Sequence, residues 1–398
     1  MVVDTRRVRQ GWFGVLALFL IHGLVVSAWI SRIPGVQISL HLSNGTLGLA
    51  LLGMAVGSTS AIPIAGALVN RYGSRKVCTV GTYLFCLALN APAWAFNAVT
   101  LFAALMVLGA AAGIMNVSMN AQGVLVETHF GRPTMSRFHA MFSLGAMIGA
   151  AVGGAIAQAR VPIGAHFLAG SIFFLLASIG TCRGLLRVSD HAPGHATHHL
   201  PLRRIPGVVW ALGGIAICVL LSEGAIADWT AVYLRQTFRA NLSTAATGYS
   251  VFSAAMAVSR FGGDHATMHL GNVRAVRYGS LIAAFGLSCA LAAPAAVWAM
   301  PGFAAAGIGL SVVVPLVFGS AGRVPGVSAG AGIATVTGLG YIGFLIGPPF
   351  IGFAAQLLTL RLALILLVIL CLSASMLSGF LSRSEPVEGA WNEPSPVV

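Results

Sequence analysis

Residues 66–76 read G-A-L-V-N-R-Y-G-S-R-K, a turn of glycine and cations set between two apolar stretches, each long enough to cross a bilayer. A turn this short returns the chain straight into the membrane, and its cations Arg71, Arg75 and Lys76 belong on the cytoplasmic side. The composition around it agrees. Of 398 residues, 57% are hydrophobic and 8% charged, with a mean hydropathy of +0.90, whereas a soluble domain is about 25% charged. The chain is therefore a polytopic membrane protein whose surroundings are the lipid bilayer. Its net charge of +13 does not point to a nucleic-acid partner, because the cations sit in short turns and form no single basic face. The 49 glycines suit helices packed closely in lipid through small contacts. Cys78, Cys86, Cys182, Cys218, Cys289 and Cys371 are scattered through apolar segments with neither a C-x-x-C pair nor a zinc spacing. They read as reduced packing residues, and neither a metal nor a cofactor is expected. The N-terminus, Arg6, Arg7 and Arg9 before an apolar run, imitates a signal peptide but lacks an A-x-A site and is read as the first span.

At about 20 apolar residues per crossing, the sequence predicts twelve spans, at 11–30, 46–69, 77–96, 99–127, 135–157, 163–186, 207–232, 244–261, 273–292, 295–321, 328–352 and 357–381. An even count puts both termini on one side. With that side cytoplasmic, every Lys and Arg except Arg32, Arg160, Arg235, Arg239 and Arg361 falls inside, as the positive-inside rule requires. The longest polar interruption, 187–206, separates an N-terminal six-helix bundle (1–186) from a C-terminal one (207–381), with a cytoplasmic tail at 382–398. His191, His195, His198 and His199 in the interruption read as part of a solvated linker. Gly145, Gly149, Gly154 and Gln158 of span 5 return at the same spacing as Gly343, Gly347, Gly352 and Gln356 of span 11, and the segment Arg260-Phe-Gly-Gly-Asp264 echoes the opening turn. Spans 5 and 11 run in the same direction, so the repeat is parallel.

The 66–76 turn resembles the loop between helices 2 and 3 of the major facilitator superfamily, G-x-L-x-D-R-x-G-R-[RK]. Here Asn70 replaces the aspartate, and Ser74 shifts the basic pair by one. The resemblance implies an all-α membrane fold of twelve helices in two parallel six-helix halves. It also implies a cytoplasmic gate formed by Gly66, Asn70, Arg71, Gly73, Arg75, Arg260 and Asp264. Residues 145–154, G-A-M-I-G-A-A-V-G-G, are similar to a stretch common in the family's antiporters, with Ala150 where proline is expected. Residues 116–127, 136–145 and 223–234 resemble the MosC/YbjJ-like branch, related to the fucose-permease group. That branch implies a transporter and names no cargo.

The chemistry of such a chain must come from the few polar groups within its spans. Glu223 lies about 24 Å along span 7 at 1.5 Å per residue, and an intramembrane acid is functional by default. It is the leading proton-coupling candidate, followed at the outer mouth by Asp228 as a second one and by Trp229 as a substrate-cavity residue. Asn116, Asn120 and Glu127 share one stripe of span 4, the asparagines either facing a substrate cavity or holding neighbouring helices together by hydrogen bonds. Glu127 and His139 end and open neighbouring spans, as a titrating pair or as an exposed acid beside arginines. His22, mid-span 1, and Tyr341, mid-span 11, complete the cavity candidates.

Other classes lack their parts. Lys76 is the only lysine and stands outside any G-K-[ST] sequence, and H-E-x-x-H is absent, so the chain is not expected to be an enzyme. The reading is a monomeric, proton-coupled secondary transporter of a small polar organic solute in a bacterial inner membrane. A proton-antiport exporter and a non-transporting receptor remain open beside it.

Overall fold

The computed structural model describes residues 5–131, 134–187 and 205–384, without the side chains of 262–268. The first span is α1 (Thr5–Ile30) with the short α2 (Ile33–Ser39). Then come α3 (Asn44–Tyr72), α4 (Ser74–Ala88), α5 (Ala98–Phe130), α6 (Met135–Gln158) and α7 (Ile163–Arg183). The second half holds α8 (Gly207–Phe238), α9 (Leu242–Ala292), α10 (Ala296–Leu310), α11 (Val313–Ala321), α12 (Ala329–Leu357) and α13 (Leu360–Leu377). Among the described residues, eleven helices are long and apolar enough to cross a membrane.

The twelfth crossing is hidden in α9. Its 51 residues are about twice what one crossing needs, and the helix reverses at Gly271, where φ is 72° and ψ 161°. Only glycine takes such angles at no steric cost. The sequence places this turn from residue 262 onward, on the strength of the motif; the backbone instead stays helical through Arg260–Leu270. The opening turn is tighter than its eleven quoted residues suggest. Helix α3 runs through Asn70 and Arg71 to Tyr72, Gly73 alone breaks it with φ 84°, and α4 begins at Ser74.

Four helices that start on the face opposite the termini are capped by their own polar side chains. Ser43, Asn97, Asn241 and Thr359 accept hydrogen bonds from the backbone N–H groups of Thr46, Thr100, Thr244 and Leu362. Each cap contributes about 1 kcal/mol by satisfying an orphan donor.

Within the first half, α1 packs on α6 and α7, and α5 on α3 and α4; within the second, α8 packs on α12 and α13, and α9 on α10 and α13. The halves meet chiefly where α3 packs on α12 and α6 on α9, with a smaller contact of α2 on α8. The glycine repeat explains both levels. Gly149 lets α6 lie on Leu24 and Ser27 of α1, and Gly343 lets α12 lie on Ile217 and Leu221 of α8. Further along the same two helices, Gly154 meets Ser243 and Ala246 of α9, while Gly352 meets Asn44 and Gly48 of α3. One face of each repeat unit thus builds its own half, and its far end meets the other half. This is the parallel two-half architecture expected from the sequence.

Candidate transport cavity

Two chambers lie between the halves. The first, about 420 Å³, is lined by Asn116, Met135, Ser136, His139, Glu223, Arg260, Thr337 and Tyr341 among others, and extends toward the face that carries the termini. The second, about 230 Å³, lies deeper and is lined by His22, Ser58, Thr59, Asp228 and a set of apolar side chains. Asn116, Tyr341 and Phe344 line both and form the partition.

Arg260 organises the first chamber. It projects from α9 across the boundary between the halves, and its Nη1 donates to Ser143 Oγ (2.7 Å) and to the His139 carbonyl (3.3 Å), both on α6. Glu223 on α8 lines the same chamber, and the charges of Glu223 and Arg260 act on each other. Yet Glu223 Oε1 and Arg260 Nε are buried with no hydrogen-bond partner. A buried, unanswered carboxylate oxygen costs free energy unless a proton, a water or a ligand meets it.

The other sequence candidates divide. His22 lines the deep chamber, stacked on Phe85 (ring centroids 5.0 Å apart) and near Phe142 (5.4 Å), with both ring nitrogens unpartnered. Asn116 and Tyr341 reach the cavity, whereas Asn120 spends its amide N–H₂ on the Asn116 carbonyl and side-chain oxygens one turn back. Asp228, expected at an outer mouth, lines the deep chamber instead. Trp229 is a correction: it is fully buried in the apolar core and lines neither chamber, because it sits one residue round the helix from Asp228. The Glu127–His139 pair is not assembled. Glu127 Oε2 accepts the N–H groups of Thr134 (2.6 Å) and Met135 (2.9 Å) at the start of α6, while His139 stands a turn further on in the chamber wall.

Among the described side chains, the expected gate residues do not meet one another in this state. Gly66 has open space around it, and Asn70 and Arg71 are exposed, Arg71 lying over the Tyr72 ring. Arg75 donates to the Arg183 carbonyl of its own half. Arg260 is in the cavity wall rather than in a surface turn, and the Asp264 side chain lies outside the described residues, as do the linker histidines.

Sequence reading did not anticipate how the opposite face is sealed. Asn44 Oδ1 accepts from Gln37 (2.9 Å) and from Gln236 of the other half (2.8 Å), and Asn44 Nδ2 donates back to Gln236 Oε1 (3.2 Å). Gln356 Oε1 accepts the Gly45 N–H (3.1 Å) and the Ser43 hydroxyl (3.0 Å). Below this amide cluster Gly48 lies against Pro348 and Gly352. The only available signal was Gln356 as the last member of the glycine repeat. Gln122 was also missed: it fastens the termini face of the first half, donating to Ser74 Oγ (2.7 Å) and the Leu186 carbonyl (3.2 Å) and accepting the Leu186 N–H (3.0 Å).

Comparison with known proteins agrees with this architecture. Residues 12–339 match the model of the Major Facilitator Superfamily. An MFS-type transporter of Yersinia pestis is 35% identical over 360 residues, covering 90% of this chain and 92% of that protein. The membrane protein MosC of Rhizobium meliloti is 29% identical over 368 residues, covering 92% and 88%. In fold, the chain is similar to the nucleoside transporter NupG (TM-score 0.71, 10% identity, 93% of this chain and 98% of that one). It is equally similar to a bacterial homolog of the human lysosomal transporter Spinster in an inward-facing, unoccupied conformation (TM-score 0.71, 14% identity, 96% and 98%). The chain therefore belongs to the major facilitator superfamily and is a multi-pass membrane transporter, not an enzyme.

Proposed function

We propose that this transporter moves a small polar organic solute by alternating access, coupled to protons through Glu223. The observation that supports it most is Glu223 itself: a buried acid with an unpartnered oxygen, in a chamber bounded by both halves, beside an arginine that reaches from one half to the other. Protonation of Glu223 would release Arg260 from its charge, and Arg260 holds α6; the charge state of one acid thereby bears on the contact between the halves. In this reading residues 1–186 and 207–381 are the moving units, the chain works as a monomer, and the termini and linker face the cytoplasm of a bacterial inner membrane.

The test begins with a thermal-shift screen of the purified protein against a metabolite library, since a ligand that binds the native state raises its stability. The solute found is then followed in proteoliposomes under an imposed pH gradient. Glu223→Gln mimics the protonated acid, so exchange should survive while gradient-driven accumulation disappears. Accumulation equal to wild type would remove Glu223 from the coupling mechanism.

A further inference from the structure

Three formal charges line the two chambers: Glu223 and Arg260 in the first and Asp228 in the second. The first two act on each other, leaving that chamber close to electrically balanced. Asp228 has no such answer. No Arg or Lys lines the deep chamber, and no hydrogen bond or ion pair reaches its carboxylate among the described residues. Taken together, the described cavity walls carry one uncompensated negative charge, and it sits at the closed end.

The walls around Asp228 narrow the chemistry of what would answer it. Val26, Ile30, Leu51 and Met54 make one side apolar. Phe344 and Tyr341, ring centroids 6.0 Å apart, close the side toward the first chamber and offer π faces that attract a cation. Two further buried polar groups stand unpartnered in the same walls: both ring nitrogens of His22, and Thr59 Oγ1. A proton on Asp228 would cancel the charge and leave those groups unanswered. Among the described residues no cluster of His, Cys, Asp and Glu suits a metal ion. At about 230 Å³ the space falls below the usual range of drug-sized pockets.

We propose that the deep chamber is the subsite for the charged end of a small organic monocation, an ammonium group on a compact apolar body, with the Asp228 carboxylate as its counter-ion and His22 and Thr59 as hydrogen-bonding groups beside it. This rests on the transporter reading above and gives its solute a charge. An anionic solute meets repulsion at Asp228, and a neutral one can donate a hydrogen bond to the carboxylate but leaves its buried charge uncompensated.

The test uses the full chain purified in detergent and probes matched in shape but not in charge: cyclohexylammonium, cyclohexanol and cyclohexanecarboxylate, with the same triad built on cyclopentane and on n-butane. Binding is read by thermal shift and calorimetry. The ammonium member of at least one triad should bind and its neutral and anionic partners should not. Asp228→Asn should weaken that binding by at least about 30-fold, as expected for loss of a buried charge partner, whereas Asp228→Glu and, outside both chambers, Gln158→Ala should retain it. Tighter binding of an alcohol or carboxylate overturns the inference; so does unchanged ammonium binding in Asp228→Asn, or no ammonium binding in any triad. The wild-type charge series decides the matter even if Asp228→Asn does not fold. Counterflow of the bound ammonium in proteoliposomes separates the two readings. Binding without counterflow keeps the subsite and sinks the transport mechanism, while counterflow of a neutral solute that ignores Asp228→Asn does the reverse.

Discussion

Gly48→Ala should open the sealed face without unfolding the protein. A Cβ at this position would stand 2.5 Å from the Pro348 carbonyl oxygen, 3.1 Å from the Gly352 Cα and 3.2 Å from the Pro348 carbonyl carbon, all on α12 of the other half. Backbone cannot swing aside as a flexible side chain can, so the strain falls on the contact between halves. Overpacking of this kind costs about 1–3 kcal/mol, and if the penalty exists only when the face is shut, it shifts the closed-to-open ratio by about 5- to 150-fold. Gly343→Ala is the control. Its Cβ would stand 2.7 Å from the Ile217 carbonyl oxygen and 3.1 Å from the Leu221 nitrogen, both within its own half. The same steric insult there is present in every state and should lower the melting temperature instead. Spin labels at Ile38→Cys and Leu357→Cys, both exposed, report the distance across the face. They can be placed in a Cys289→Ser background, because the other five cysteines are buried. Gly48→Ala should lengthen that distance and Gly343→Ala should not. If both variants only lose thermal stability and the distance distribution is unchanged, the α3–α12 contact is static packing and the alternating-access reading loses its hinge.

The amide cluster above Gly48 makes a smaller prediction: Gln356→Ala removes two hydrogen bonds between the halves, each contributing about 1 kcal/mol or less at an exposed site, and should lengthen the same distance a few-fold less often. Its repeat mate Gln158 is exposed, and Gln158→Ala should leave the distance distribution as it is; equal effects would show that the asymmetry of the two helix ends does not matter. Glu127→Gln weakens two bonds to the start of α6 and should cost about 1–2 kcal/mol of stability, seen as a lower melting temperature, while the pH dependence of transport stays unchanged; an altered pH profile would return Glu127 to the proton pathway. A periplasm-active reporter fused after Ala196 should be silent, as the Arg and Lys distribution requires, and strong activity there would invert the orientation.

How far the sequence could be read depends on the range of the interaction. The spans were legible because an apolar run needs no knowledge of its neighbours, and Gly73 was legible because a turn between two such runs has nowhere else to go. Glu223 stood out because an acid among apolar residues is anomalous by itself. Gly271 was not legible, since the motif at Arg260 offered a better-looking turn and the helix merely continued past it. Asp228 and Trp229 were indistinguishable as cavity residues along the chain, and one residue of helix rotation sent the first into the chamber and the second into the core.

The repeat itself shows the limit most clearly. Gln158 and Gln356 occupy the same register on equivalent helices, yet among the described residues only Gln356 finds partners at the start of the opposing helix, Ser43 and the Gly45 N–H. The difference is made by what the other half presents: α6 approaches Ser243 and Ala246 of α9, and α12 approaches Asn44 and Gly48 of α3. Internal symmetry can therefore be read from one chain, but the departures from it that would give a transporter two unequal gates lie in contacts between segments distant in sequence. Arg260 is the same case in the cavity. Its motif suggested a surface turn, and only the approach of α6, bringing Ser143 and the His139 carbonyl within reach, turns it into the cation that faces Glu223.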